Sequence, residues 1–374
     1  MFAWLRKIVP PSAKRKPPVS ADERERHERC GNMFLSEGNL DEAIASYGNA
    51  LSINPDFAEA HRNESLCRLL NADFEKDWEK YEWRWKNPQL KKSKRHLGQP
   101  QWFGKESLQG KTILHAEQGY GDTIQFCRYA KPISAQGATV ILLVSPALKT
   151  LRSRLAGVSG IFVEGEQLTQ FDYHCPMPSL PLAFNTTLHS IPAEAAYLEC
   201  DAGHVDFWKA KLGQKKTWRI SLARSGHPEH ANDRNRSLAL ADMFNIVSHK
   251  AEFISLQKEV PSYDLAFLHE HESLRHFGND LQDFSDTAGL IANMDLVVSV
   301  DTPTAHLAAA IGKPTWILPP FVPDWRWLTE RTTSPWHPSV RLFRQPRIGD
   351  WDSVFQSIID EMRRLLSQPT AFAR

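Results

Sequence analysis

The spacing of apolar positions changes along this 374-residue chain and divides it into three stretches. From residue 24 to about 90, small and apolar side chains recur at helical intervals, with Leu40-Asp41-Glu42 as an inter-helix turn capped by the Asp41 carboxylate. A polar, basic connector follows over 86–110 (Lys91, Lys92, Lys94, Arg95). Short continuous apolar runs then alternate with amphipathic ones. Strands are predicted at 111–116, 138–144 and 160–164, and helices at 122–136 and 146–155. Residues 165–200 are rich in proline and read as loop, and a helix near 203–212 ends at Gly213. The alternation restarts with strand 217–223, a polar loop at 224–236, helix 238–248, strand 252–256, helix 286–293, strand 295–300, helix 303–311 and strand 314–318. A last helix over 351–366 carries Val354, Ile358, Ile359, Met362 and Leu366 on one face. Alternating strands and helices imply parallel sheets. Two such units joined by a linker imply two lobes, with a ligand between them at the carboxyl ends of the strands.

The helical stretch has a finer pattern. Gly31, Ala43, Tyr47, Ala50 and Pro55 fall at the spacings of a tetratricopeptide repeat. Gly31 and Ala43 are small where two helices touch, Tyr47 fills the gap between them, and Pro55 ends the second helix. A degenerate second unit, Ala58 to Trp85, lacks the glycine. One and a half repeats do not make a free-standing solenoid. They are expected to pack on the next domain, with Trp83 and Trp85 as the sealing aromatics. A peptide-binding groove is the functional alternative.

Composition narrows the class of protein. Lys and Arg number 45 against 44 Asp and Glu, so no global basic field points to nucleic acid. The five cysteines are scattered without a CxxC pair and read as reduced thiols of a cytoplasmic protein. No apolar run reaches the roughly 20 residues of a membrane helix. Residues 1–23 mix apolar positions (Phe2, Trp4, Leu5, Ile8, Val9) with basic and proline positions. That composition reads as a disordered basic leader, the alternative being peripheral attachment to an anionic membrane surface.

Candidate chemistry lies at the ends of strands. His115-Ala116-Glu117-Gln118-Gly119-Tyr120-Gly121-Asp122 is a strand, a glycine turn and a helix opening on a carboxylate. Ile124 stands where a dinucleotide fingerprint wants its third glycine, and no GK[ST] follows, so neither a nicotinamide site nor a P-loop is indicated. Asp122 as a helix N-cap, with Gln125 completing a capping box, is the structural reading. Proton acceptance from a substrate hydroxyl is the catalytic one. Asp301-Thr302-Pro303-Thr304-Ala305-His306 starts a helix with Thr302 as N-cap and Pro303 at the first turn, where free N–H groups attract a diphosphate. His306 is either a core histidine or a donor to that anion. Arg234 and Arg236 can each offer a guanidinium to phosphate oxygens, or form a solvated charge run. Gln257 and Lys258 end a strand where a nucleotide base would lie. His227, Glu229 and His230 have no further ligand cluster beside them and do not read as a metal site. Phe321-Val322-Pro323-Asp324-Trp325-Arg326-Trp327 suits stacking on a sugar or base, or interdomain packing.

Taken together, His115–Arg128, the Asn232–Leu238 segment, Asp283–Ala288, Asp301–Ala309 and Asp324–Leu328 resemble bacterial proteins that join tetratricopeptide repeats to a domain similar to the ADP-heptose lipopolysaccharide heptosyltransferases. The resemblance runs over about residues 24–365. It implies a GT-B fold of two Rossmann-like lobes preceded by a short all-α repeat segment. The acceptor-side lobe would span 97–213, the donor-side lobe 214–346 and a C-terminal helix 350–366. It also implies a glycosyltransferase that moves a sugar from a nucleotide-sugar to a glycan or protein acceptor, inverting and without a metal or other cofactor. By the same resemblance Asp122 is the catalytic base and Arg236 a phosphate ligand. Asp301, Thr302 and His306 fall on its donor motif; Thr304, at the same helix start, and Arg234, Gln257 and Lys258 are read on the donor side from their own positions. Glu117, Gln118, Gly119 and Gly121 form the acceptor-side loop. Two positions depart from the family pattern beside the expected diphosphate: Arg224 replaces an aromatic, and Pro303 a small residue. They motivate a second reading, a degraded GT-B module acting as a nucleotide-binding or protein-interaction adaptor.

Overall fold

A computed structural model describes residues 19–87, 94–117, 119–151, 155–230, 232–248 and 250–367. Gln118, Lys91, Lys92 and residues 1–18 of the expected leader lie outside the described residues. Four helices open the chain: α1 (Val19–Glu37), α2 (Leu40–Ile53), α3 (Ala58–Leu70) and α4 (Phe74–Tyr81), the last running into a 3-10 turn, Glu82–Lys86. Helix pairing depends on the small residues the spacing picks out. A Cβ on Gly31 would lie 2.5 Å from Tyr47 Cε1, so only glycine lets the Tyr47 ring sit there. Ala43, Tyr47 and Ala50 are fully buried.

The first lobe is a four-stranded parallel sheet in the order β3-β2-β1-β4, with β1 (Lys111–His115), β2 (Thr139–Val144), β3 (Val158–Val163) and β4 (Tyr173–Pro176). The second is a six-stranded parallel sheet, β10-β9-β8-β5-β6-β7. Its strands are β5 (Trp218–Ala223), β6 (Ala251–Ser255), β7 (Leu274–His276), β8 (Leu296–Val300), β9 (Thr315–Leu318) and β10 (Val340–Leu342). β8 is buried along its whole length, as a strand covered on both faces must be, and its sequence Leu-Val-Val-Ser-Val is correspondingly continuous.

Four helices place the site: α5 (Tyr120–Phe126), α6 (Ala202–Leu212), α7 (Phe284–Ala292) and α8 (Pro303–Ala310). The helix expected over 122–136 starts two residues earlier and breaks into α5, a 3-10 turn at Cys127–Tyr129, and Ala130–Ala135. Pro132 explains the break, since it has no N–H for the carbonyl four residues back. The expected helix 238–248 is reduced to Leu240–Phe244. Strands β4, β7 and β10 and the helix Ser262–Glu270 were not expected from the sequence. Helix α6 follows the first sheet in sequence but packs against α7 of the second lobe, with Trp208 edge-on to Phe277 at 5.5 Å. The C-terminal helix α9 (Trp351–Leu366) buries Val354, Phe355, Ile358 and Met362 against the second sheet. Among the described residues no helix is long and apolar enough to cross a membrane.

One core joins all three parts. Phe74, Trp78 and Tyr81 of α4 meet Phe126 of the first lobe and Trp325 and Trp336 of the second in a single buried cluster. The Trp325 ring lies 5.4 Å from Trp78, 6.3 Å from Phe126 and 5.7 Å from Trp336. The repeats therefore pack on both lobes, and the sealing aromatics are Phe74, Trp78 and Tyr81. Trp83 and Trp85 are only half-buried: Trp83 stacks on His61 at 3.8 Å, and Trp85 lies under the Arg84 guanidinium.

Candidate functional site

The site is built where α5, after β1, meets α8, after β8. These helices pack directly on each other across the lobe boundary. Gly121 makes the approach possible: a Cβ there would lie 3.0 Å from His306 Cδ2 and 3.7 Å from Pro303 Cα. Asp122 is the third residue of α5, not its N-cap. Gly119 takes the cap position, and its N–H donates to Asp122 Oδ2 at 3.0 Å. Gln125 does not complete the box; it is fully buried, and neither of its amide atoms has a partner. The second Asp122 oxygen accepts from Arg326 of the opposite lobe. Arg326 also donates to Asp324 at 2.7 Å and lies over the Trp325 ring at 4.4 Å. Burial opposes the Arg326 charge, but the carboxylates of Asp324 and Asp122 outweigh it and hold the pKa above its ordinary value.

On the second lobe, Thr302 does occupy the N-cap position of α8 with Pro303 next, yet its hydroxyl pairs with Ser299 at 3.1 Å instead of capping. Asp301 is held by His306, whose Nε2 lies 3.7 Å away. Burial alone would raise the Asp301 carboxyl; His306, the neighbouring Trp327 and Arg236 bring it below the usual carboxylate range. His306 stacks on Trp327 at 5.0 Å, and its buried Nδ1 has no partner. Arg236 donates to the Asp301 carbonyl at 2.9 Å and pairs with Asp233 at 3.4 Å. Thr304 is half-buried in the first turn of α8, and Arg234 is exposed. Gln257 donates to the Ser225 carbonyl at 3.2 Å and keeps a buried, unpaired Oε1. Lys258 donates to the Gln282 carbonyl at 2.8 Å just ahead of α7. Tyr120 and Phe284 face each other across the rim, 5.1 Å between ring centroids.

Two expectations about this region change. Glu117 is not a free loop carboxylate. Its oxygens accept from Arg84 of the repeat segment at 2.7 and 2.8 Å, with the Arg84 side chain fully buried. Arg224, expected beside a diphosphate, is taken up within its own lobe. It is buried in an ion pair with Asp264 and donates to the Leu238 carbonyl at 2.9 Å. The structure thus brings Asp122, Gly121, Asp301, Thr302, His306 and Arg236 to one inter-lobe seam. It adds Arg326 and Arg84, whose partners lie 204 and 33 residues away in sequence.

Known proteins match the same layout. Residues 31–63 match the family described as TPR repeat, and residues 282–318 match Glycosyltransferase family 9 (heptosyltransferase). The second match spans α7, β8, α8 and β9, the second-lobe half of the seam. The chain thus carries one segment similar to a TPR repeat and one similar to glycosyltransferase family 9, in a fold similar to that of a heptosyltransferase. Protein FlbA of Caulobacter vibrioides is 24% identical over 396 residues, covering 89% of this chain and 66% of FlbA, slightly under two thirds of that protein's length. The ADP-heptose lipopolysaccharide heptosyltransferase II of E. coli has a TM-score of 0.50 and 14% identity, over 68% of this chain and 98% of that one. A glycosyltransferase family 9 structure from Veillonella parvula superposes over 70% of this chain and 98% of its own, at 11% identity and a TM-score of 0.48.

Proposed function

We propose that the protein transfers a sugar from a nucleoside-diphosphate donor to a hydroxyl of a glycan or protein, with inversion and without a metal. The observation that carries the reading is the seam itself. An acid on α5 of one lobe adjoins a helix start and an arginine on the other. In this reading Asp122 takes the acceptor proton as the oxygen attacks the anomeric carbon. Arg236 and the N–H groups at the start of α8 offset charge on the departing diphosphate. The unpaired Nδ1 of His306 and Oε1 of Gln257 are polar groups left for the donor to satisfy. The nucleoside side falls to Gln257 and Lys258, with Arg234, exposed two residues from Arg236, also on the donor side. Gly119 and Gly121 let the acceptor-side backbone approach, while Glu117 fixes that loop from behind. The repeat segment offers a surface for a protein partner.

The adaptor reading loses its two motives. Arg224 is occupied by Asp264 and Leu238, and Pro303 starts α8 at a position that suits proline. Thermal unfolding with ADP, GDP and UDP separates the two. At 100 times Kd a ligand confined to the folded state adds about 2.7 kcal/mol of stability. A clear rise in Tm with one of them is expected. No rise with any of the three would refute a nucleotide-diphosphate site.

A further inference from the structure

We propose that Arg326 is the positioning residue of Asp122 and that their ion pair latches the lobes together until the carboxylate takes up the acceptor proton. The inference rests on Asp122 being the base. Arg326 sits in the 3-10 turn Trp325–Trp327, beyond β9 in the second lobe, and Asp122 in α5 of the first. The carboxylate is oriented by one bond from its own lobe, the Gly119 N–H, and one from the other lobe, the Arg326 guanidinium. The guanidinium side chain is 7% exposed and lies between the Phe126 and Trp325 rings, 5.3 and 4.4 Å from their centroids. Tyr81 of α4 and His337 are the other ionisable groups beside it.

Asp324 makes this pair directional. It is two residues from Arg326, in the same lobe, and holds it at 2.7 Å. When Asp122 becomes neutral, Arg326 keeps a carboxylate partner, and the bond that weakens is the one between lobes. In the transfer step the acceptor oxygen forms its bond to the anomeric carbon as the carbon–oxygen bond to the diphosphate breaks. The bonding pair leaves on the phosphate oxygen, and the hydroxyl proton passes to Asp122. The carboxylate charge falls from one negative to zero, the latch weakens, and opening returns the proton to water. Chemistry thereby signals product release. Arg326 Nε–H is buried in the closed seam without an acceptor.

Hydrogen exchange of the full chain without substrate tests this. Asp122→Asn copies the neutral carboxylate and is expected to speed exchange in α5 and α8 by about tenfold, with β2 and β5 unchanged. Unchanged exchange in α5 and α8 would overturn the proposal. Arg326→Lys keeps the charge but cannot span both carboxylates. It is expected to lower kcat with donor KM nearly constant, and kcat and KM both at wild-type values would count against positioning. Adding Arg326→Lys to Asp122→Asn should speed exchange no further, whereas additive effects would mean that the two residues act separately. The exchange readout involves no turnover, so it is separable from the base assignment. An Asp122→Asn protein with closed lobes and no transfer sinks the latch alone. One with loosened lobes and full transfer sinks the base and removes the trigger.

Discussion

Replacing Arg84 with methionine should damage the protein well beyond the repeats. The guanidinium is fully buried and donates to both Glu117 oxygens, to Ser179 Oγ at 2.6 Å and to Glu82 at 2.5 Å. The Glu117 side chain is 1% exposed, so removing Arg84 strips a buried carboxylate of two charge-assisted hydrogen bonds that solvent does not replace. Breaking one side of a buried pair costs about 3–5 kcal/mol, whereas an apolar pair of similar volume is often neutral. Arg84→Met is therefore expected to lose about 3–5 kcal/mol in urea unfolding. Arg84→Met/Glu117→Met should recover most of that loss, with a coupling of about 2–3 kcal/mol. Transfer should not recover with it, because Glu117 anchors the loop that leads to Asp122. A single-variant cost below about 1 kcal/mol, or strict additivity in the double variant, would refute the claim that this pair ties the repeats to the loop that leads to Asp122.

Gly121→Ala is compatible with helix α5 but would press on His306 Cδ2 at 3.0 Å. Stability should change by under about 1 kcal/mol while transfer falls at least tenfold, and wild-type turnover would mean the lobes need not close this tightly. Burial, helped by His174 and Arg95, pushes the His115 ring down to about 3, and burial also lowers His174 beside it. The unfolded imidazole gains its proton near pH 6.5 and the folded one only near 3, so stability is full above about 6.5 and is lost as pH falls. The loss attributable to His115 is about 2 kcal/mol by pH 5, and His115→Gln should flatten the curve between pH 7 and 5. An unchanged slope in that variant would assign the acid sensitivity elsewhere.

Much of this architecture could be read from spacing. The repeat was legible because two touching helices dictate residue size, and Gly31 against Tyr47 leaves no choice. Long buried strands such as β2 and β8 declare themselves as continuous apolar runs. The edge strands β7 and β10 are three residues each, too short to show a period, and β4 is hidden in a proline-rich stretch. Asp122 and the Asp301–His306 segment stood out because each follows a strand and opens a helix. What spacing does not supply is partnership at long range. Arg326 reaches Asp122 across the lobes and Arg84 reaches Glu117 from the repeats, and neither distance is written in local pattern. Arg224 illustrates the reverse error: a residue next to the expected diphosphate turns inward to Asp264.

The central claim is that Asp122 removes the acceptor proton within a seam whose other wall holds the diphosphate. The most direct test compares Asp122→Ala with the wild type in two measurements, transfer or hydrolysis of a nucleotide-sugar and binding of the nucleoside diphosphate. The account predicts that turnover falls at least about a hundredfold while nucleotide affinity stays within a few-fold. Turnover at the wild-type rate in that variant would contradict it.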